Sequence, residues 1–328
     1  MGRMKILITG FSGFVSRHFI DYLFQNNIQA EICGIDIVPP SFNYACFGPA
    51  IHIKYFEVNL LDEKMLNAVI EEFIPDYVLH LASYSSVAYS WKHPAESFKN
   101  NTNIFLNLVM ILKNVNRDCR ILSIGSSEEY GNVQEADLPL KEDAVLHPNS
   151  PYSVARVAQE MLSEVFAKSY QMNIIFTRSF NHIGPYQDER FVVPSFIRRI
   201  LDISGSDKEK VIETGDIAII RDFVDVRDVV KAYYVLLTKG TPGQVYNICS
   251  GRGVSLQDII NDISKYVGVN VKTKINYDYV RPQDNKVMIG NADKIANELG
   301  WKSVIPLETT LKDMIEEIKC RCKKDVIE

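Results

Sequence analysis

A doubly wound α/β fold, one parallel sheet with helices on both faces, is predicted by three observations. Short β-branched runs alternate with longer helical patterns through the first half of the chain, a glycine-bearing turn follows the first run, and a carboxylate closes the second. The strand-like runs are Lys5–Thr9, Ala30–Ile35, His52–Val58, Asp76–Ala82, Arg120–Ser126 and Asn173–Phe180. Between them lie helical patterns near Phe14–Gln25, Asp62–Phe73, Ala95–Asn114 and Pro151–Tyr170, so the crossovers are long enough for parallel pairing. After Phe180 the rhythm breaks. A loop rich in Gly, Pro and charge (His182–Arg190) precedes a helix near Val193–Ile203, and strand-like Gln244–Cys249 comes much later. This organisation predicts a Rossmann-like dinucleotide-binding domain over residues 1–180, to which 217–250 return. A smaller, interleaved α/β substrate-binding region takes 181–216 and 251–318, and 319–328 form a charged tail.

Composition agrees with a soluble two-domain chain: 328 residues, 46% hydrophobic and 23% charged. Lys and Arg number 36 against 41 Asp and Glu, a net charge of −5, which offers no basic field for a nucleic-acid backbone or an anionic membrane. No stretch approaches the roughly 20 apolar residues of a membrane span, and no charged-then-apolar leader precedes the first strand. The expectation is a cytoplasmic protein with no nucleic-acid or membrane partner. The six cysteines are too sparse for a disulfide framework. Cys33, Cys119 and Cys249 fall in or beside apolar runs and read as core thiols, and Cys320-Arg-Cys322 lacks a third ligand, so no metal is expected.

The first strand runs into Gly10-Phe11-Ser12-Gly13-Phe14-Val15-Ser16. Gly10 and Gly13 let the backbone turn tightly and approach a pyrophosphate at the positive end of the next helix, with Ser12, Phe14 and Val15 lining the approach. Ser16 occupies the third small position. Asp36 closes the second strand, twenty positions after Ser16, where a carboxylate accepts hydrogen bonds from an adenosine ribose. No Arg or Lys follows closely to neutralise a 2′-phosphate, which favours NAD(H) over NADP(H). Asp36 also suits the turn into Pro39-Pro40. Asn59 and Leu60 end the third strand and Leu81, Ala82 and Ser83 the fourth, at the carboxyl edge where such a sheet binds its ligand.

The fifth strand ends in Gly125-Ser126-Ser127-Glu128-Glu129-Tyr130-Gly131, and the following helix carries Tyr152 and Arg156, four apart on one face. A phenol works as an acid or base near neutral pH when something stabilises its phenolate, and a cation one turn away does that. Ser126 or Ser127 can hydrogen-bond the substrate oxygen that Tyr152 protonates. Tyr152 and Arg156 alone would read as a surface pair; the serine-rich strand end and the glycine turn together make them a candidate site.

With these motifs in order, the chain resembles the extended short-chain dehydrogenase/reductase family of nucleotide-sugar enzymes over essentially its whole length. The resemblance rests on the glycine turn, His80-Leu81-Ala82, Ser126-Ser127-Glu128, Tyr152 and the run Arg221 to Asp228. Ser126 to Gly131 and Phe180-Asn181-His182-Ile183-Gly184-Pro185 look most like GDP-4-keto-6-deoxy-D-mannose reductases, and less like GDP-mannose 4,6-dehydratases. The family pattern is Tyr-x-x-x-Lys, and Arg156 stands at the lysine. By resemblance that lysine bonds the nicotinamide ribose and lowers the tyrosine pKa; arginine keeps the charge but cannot pass a proton onward.

The resemblance further implies a GDP-sugar substrate whose pyrophosphate meets Arg221 and Arg281, with Arg198 a third candidate. It assigns Asn181 to the phosphate or sugar, Asp284 to the nucleoside ribose, Val192 and Val193 to the base, and Asn101 to the neighbourhood of the active site. It also implies a homodimer through a four-helix bundle. The apolar faces would be Phe98, Phe105, Leu106, Val109 and Leu112 on one helix and Val154, Val157, Met161 and Val165 on the other. The expected reaction is NAD(P)H-dependent reduction of a GDP-linked 4-keto-6-deoxy sugar. Glu128, where related dehydratases keep an acid/base glutamate, leaves open a dehydratase or epimerase with tightly bound NAD(P), and Arg156 a non-catalytic sensor.

Overall fold

The computed structural model describes residues 3–205, 209–280 and 285–325. The chain opens with β1 (Met4–Thr9), α1 (Phe14–Gln25), β2 (Ala30–Asp36), β3 (Ile51–Glu57), α2 (Glu63–Phe73), β4 (Tyr77–His80), α3 (Val87–Lys92), α4 (Pro94–Phe98) and α5 (Ile104–Val115). It continues through β5 (Arg120–Ser126), α6 (Pro151–Ser169), β6 (Asn173–Ser179), β7 (Asn181–Ile183), α7 (Val192–Ser204), β8 (Val211–Thr214), β9 (Ile220–Asp225), α8 (Val226–Lys239) and β10 (Val245–Ile248). The last elements are β11 (Gly253–Ser255), α9 (Leu256–Val267), β12 (Lys272–Ile275), β13 (Val287–Met288), α10 (Asp293–Leu299) and α11 (Leu307–Asp325).

Seven strands form one sheet in the order β10-β6-β5-β4-β1-β2-β3, every pairing parallel. The chain reverses direction across the sheet between β1 and β4, and the crevice at their carboxyl ends is where a doubly wound sheet takes its ligand. Both faces of the sheet are covered, which is why its strands read as unbroken apolar runs rather than alternating ones. Ile6 and Ile8 pack with Phe19, Ile20 and Leu23 of α1 and with Val229, Val230 and Tyr233 of α8. Leu7, between them, faces the other way, into Leu66 and Ile70 of α2 and Phe105, Leu108, Val109 and Leu112 of α5. Cys33, Cys119 and Cys249 are buried, and burial pushes the Cys33 and Cys119 thiols up to about 12.

β9 pairs with β7, β11 and β13 in a second sheet, and β8 pairs with β12. The cluster under this part joins Val193, Phe196, Ile197 and Ile200 of α7, Ile259, Ile260 and Ile263 of α9, and Leu311, Met314, Ile315 and Ile318 of α11. Residues 319–325, read from composition as a charged tail, are the last turns of α11, because its apolar stripe continues the helix onto α7 and α9. Of segment 217–250, α8 and β10 pack with the large sheet while β9 lies in the small one. Four of the apolar side chains expected on an interhelical face, Phe105, Val109, Leu112 and Val157, are spent on the chain's own interior. Phe98, Val154, Met161 and Val165 stay exposed. No helix among the described residues is long and apolar enough to cross a membrane.

Candidate active site

The turn after β1 is built around Gly10, whose φ of +69° is left-handed and whose missing side chain is required by space. A Cβ there would lie 2.7 Å from the Ala82 nitrogen and 2.9 Å from the Leu81 carbonyl carbon, so the turn sits flush on the exit of β4. Gly13 precedes α1 with no side-chain cap, leaving the first N–H groups of a twelve-residue helix facing the crevice end of the sheet. Asp36 is fixed beside that turn: Ser12 N–H donates to one carboxylate oxygen at 2.9 Å and Ile37 N–H to the other at 2.7 Å. Each oxygen keeps a lone pair for a sugar hydroxyl. The Ser12 hydroxyl donates to the Val38 carbonyl at 2.5 Å, and Tyr55 donates to the same carbonyl at 2.7 Å. Phe14 stacks on His182 at 5.8 Å between ring centroids, and burial pulls the His182 pKa down to about 4, so that imidazole is neutral. Val15 is half-buried one residue further along α1.

At the β3 exit Leu60 is buried and the Asn59 side chain accepts from Leu61 N–H at 2.9 Å, shaping the turn into α2. Leu81, Ala82 and Ser83 leave β4 half-buried beside Gly10. His80, inside β4, shares a 2.8 Å hydrogen bond with the Thr9 hydroxyl; burial, reinforced by the Arg156 charge, pulls its pKa down to about 3. Asn101 sits in a π-helical turn, Lys99–Asn103, between α4 and α5. Its amide donates to the Ser97 carbonyl at 2.7 Å, and its buried side-chain oxygen has no donor among the described residues. A π turn with an unsatisfied buried acceptor is a common mark of a ligand site. The flush glycine turn, the uncapped helix and the fixed Asp36 suit a nicotinamide dinucleotide.

The candidate acid–base residues are positioned by the two ends of one connection. Ser126 finishes β5 and caps the short turn Ser127–Tyr130, its hydroxyl accepting from Glu128 N–H at 3.2 Å while its own N–H donates to Glu129 at 2.6 Å. Ser127 is buried and Glu128 half-buried. α6 starts on Pro151 behind a reciprocal cap: Ser150 accepts from Ser153 N–H at 3.1 Å, and the Ser153 hydroxyl accepts from Ser150 N–H at 2.9 Å. This fixes Tyr152 in the first turn, buried, with Arg156 one turn on and its guanidinium 5.9 Å from the Tyr152 ring centroid. Burial pushes the Tyr152 phenol above its ordinary value; Arg156 and a hydrogen bond with Ser126 pull the other way without cancelling it. Arg156 is itself buried and donates to the Ile124 carbonyl, while Gln159 donates to Ser123 at 2.8 Å on the same strand.

On the substrate side the expectations diverge. Arg221 is buried on β9, donating to its own Ile220 carbonyl at 2.9 Å and to the Asn285 carbonyl at 2.8 Å. Asn181 opens β7, half-buried, and pairs in register with Phe223 of β9. Val192 begins α7 with its side chain exposed, and Val193 is buried. Arg198 turns to its own helix and to α11, binding Asp202 at 3.2 Å and the Cys322 thiol at 2.8 Å, and its acidic partner at i+4 was visible in the sequence. Arg281 and Asp284 lie outside the described residues. Sequence reasoning missed the charges behind the site: buried Glu129, Arg178 and Asp222, and half-buried Glu160. Asp222 draws together Ser250 N–H at 2.8 Å, Gly251 N–H at 2.9 Å and Gly290 N–H at 3.3 Å.

A dinucleotide fold with a buried Tyr, an adjacent Ser and a cation one turn on defines a short-chain dehydrogenase/reductase-type oxidoreductase. The chain belongs to the GDP-mannose 4,6 dehydratase family, which it matches over residues 7–314. It is 30% identical over 321 residues to a GDP-6-deoxy-D-mannose reductase from Pseudomonas aeruginosa, covering 98% of this chain and 99% of that one. Its fold superposes with a TM-score of 0.82 on the structure of RMD from Pseudomonas aeruginosa complexed with NADPH, at 30% identity, 97% of this chain and 98% of that one. A UDP-glucose 4-epimerase from Thermotoga maritima, solved with UDP-glucose, gives a TM-score of 0.85 at 29% identity, 97% of this chain and 100% of that one. The protein is thus a nucleotide-sugar oxidoreductase that uses a nicotinamide cofactor.

Proposed function

We propose that this enzyme reduces the ketone of a GDP-linked 4-keto-6-deoxy sugar. The observation that carries the reading is the state of Tyr152: burial keeps its phenol protonated at neutral pH, hydrogen-bonded to Ser126, which is the form that donates to an oxygen gaining negative charge. The Pseudomonas aeruginosa relative named a GDP-6-deoxy-D-mannose reductase, aligned over nearly the whole length of both chains, supports the same reading. The bound nicotinamide supplies hydride to the ketone carbon. Gly10, Ser12, Gly13, Phe14 and Val15 would hold the pyrophosphate; Asp36, Asn59 and Leu60 the adenosine; Leu81, Ala82, Ser83 and Asn101 the remainder of the cleft. Ser126 and Ser127 orient the carbonyl, and Tyr152 passes its proton to the alkoxide. Arg156 lends its charge to the phenolate left behind and donates to ribose hydroxyls, a role for which its always-charged fork suffices. We infer that Asn181 and Arg221 meet the sugar and pyrophosphate of the substrate; Arg281, to which the resemblance gives the same role, lies outside the described residues. Exposed Phe98, Val154, Met161 and Val165 on the helices α4 and α6 form the face through which we infer a homodimer.

The test is nicotinamide absorbance with purified enzyme, GDP-4-keto-6-deoxymannose, and NADH or NADPH in parallel. Consumption of the reduced cofactor is expected. No consumption with either, while the protein binds a GDP-sugar, would overturn the reading; NAD retained through purification with that result would move it to the internal-redox route that Glu128, close to Tyr152, could serve.

The cofactor preference follows from Asp36. Its carboxylate is held by two N–H groups, and Ile37, Val38, Pro39 and Pro40 follow without a cation, so a 2′-phosphate would meet a fixed negative charge. We infer a preference for NADH, unlike the relative solved with NADPH. Asp36→Ala is expected to narrow the NADH-over-NADPH ratio of kcat/KM by about tenfold, a change of roughly 1.4 kcal/mol in relative binding. An unchanged ratio would remove Asp36 from cofactor selection.

A further inference from the structure

Two carboxyl groups meet in the interior directly behind Ser126. Glu129 is 0% exposed. One of its oxygens accepts from Ser126 N–H at 2.6 Å, and the other finds no N–H or hydroxyl donor among the described residues. What faces Glu129 is the carboxyl of Glu160 on α6, at hydrogen-bonding range. Glu160 already takes two N–H groups from Arg178, at 2.9 and 2.7 Å, in a bidentate pair, so its charge is matched. Two buried carboxylates in contact cannot both ionise, and the one without the guanidinium keeps the proton.

We propose that Glu129 is a protonated, neutral acid in the working enzyme, donating to Glu160 and accepting from Ser126, and that it is a positioning residue for the Tyr152 site. This rests on Tyr152 being the proton donor. The neutral state matters because of the charged groups nearby: Glu160 and Arg156 from α6 act on Glu129, Arg178 from β6 holds Glu160, and Glu128 and Glu129 both act on Tyr152. An ionised Glu129 would offset the Arg156 charge and make the Tyr152 phenolate harder to form; a protonated one leaves that charge to Tyr152. Burial and the Glu160 charge push Glu129 well above the usual carboxylate range, against the smaller pull of Arg156 and Ser126 N–H. Gly125 leaves room for the same arrangement, since a Cβ there would come within 2.1 Å of the Thr177 carbonyl oxygen and 2.5 Å of the Glu129 oxygen.

Glu129→Gln reproduces the proposed state, its amide oxygen accepting from Ser126 and its NH2 donating to Glu160, whereas Glu129→Val deletes both bonds at similar bulk. A carboxyl whose folded pKa lies above its unfolded one costs stability once the pH exceeds the unfolded value, and the cost grows until the folded value is reached. Thermal melting of the wild type and Glu129→Gln between pH 5 and pH 9 should therefore show the variant gaining on the wild type as pH rises. The infrared carbonyl band of a protonated carboxylic acid, read at neutral pH in carboxyl-labelled protein, should be present in the wild type and lost in Glu129→Gln. A variant that loses ground with rising pH, or an infrared spectrum unaltered by the substitution, overturns the proposal. Both readings need no turnover, so they stand apart from the choice of substrate. With a working ketosugar assay, Glu129→Gln should keep the wild-type pH profile, while Glu129→Val lowers kcat about tenfold, the cost of one buried N–H left unpaired. A shifted profile in Glu129→Gln would mean the native residue is ionised.

Discussion

Tyr152→Phe is expected to lower kcat for ketosugar reduction by about 10²–10⁴-fold with the KM for cofactor nearly unchanged, because general-acid transfer is what the hydroxyl alone supplies. The ring remains, so the buried packing at the start of α6 and the cap built on Ser150 and Ser153 remain with it. The pH dependence follows from the direction of the shift. Tyr152 acts from its protonated form, and burial outweighs the opposing Arg156 charge and Ser126 hydrogen bond, so the rate is level through neutral pH and falls only as pH rises through the elevated phenol value. Stopped-flow measurement of the hydride step across that range checks both statements. A Phe variant that reduces the sugar at more than a tenth of the wild-type rate would require another proton donor.

The parts of this arrangement that could be read from sequence are those whose side chains follow hydropathy. β1, with Ile6, Leu7 and Ile8 buried on both faces, announces itself, and so does the turn at Gly10, where backbone geometry admits no other residue. β9 does not. Its sequence, Ile-Arg-Asp-Phe-Val-Asp, carries three charged residues that are all buried, because Arg221 is spent on backbone carbonyls, Asp222 on three N–H groups, and Asp225 on Arg227 and Thr310. Such a strand follows hydrogen-bond supply rather than apolar periodicity, and periodicity was the signal available. The helix α11 was hidden for the opposite reason: its dense lysines and glutamates mask one apolar stripe that only α7 and α9 reveal. Within the site, Tyr152 and Arg156 are legible as an i,i+4 pair, but Glu129, Glu160 and Arg178 come together from a turn, a helix and a strand. No local spacing encodes that meeting.

Arg178→Leu is expected to cost about 3–5 kcal/mol of folding stability, read as a lower midpoint of urea unfolding at neutral pH. The Arg178 side chain is 5% exposed and its partner Glu160 14% exposed, so leucine in its place leaves a carboxylate inside the protein without a counter-charge. More than the pair is lost. The guanidinium also donates to the Glu142 carbonyl at 3.0 Å and lies 4.8 Å from the Tyr130 ring centroid, and Tyr130 in turn donates to Asn247 on β10 at 2.7 Å. One side chain thus joins β6 to α6, to the turn after β5 and, through Tyr130, to the sheet edge. Arg178→Lys should recover only part of the loss, since an ammonium cannot match both carboxylate oxygens. The orphaned charge and the lost packing separate by pH. Once Arg178 is gone, Glu160 is free to protonate as the pH falls, so the gap between Arg178→Leu and the wild type should narrow at acid pH if the unpaired carboxylate dominates, and stay constant if packing does. Adding Glu160→Gln to Arg178→Leu removes the orphan directly and should restore stability relative to the single variant. A single variant within about 1 kcal/mol of the wild type would mean that water reaches Glu160 and that the pair does not anchor the floor of the site.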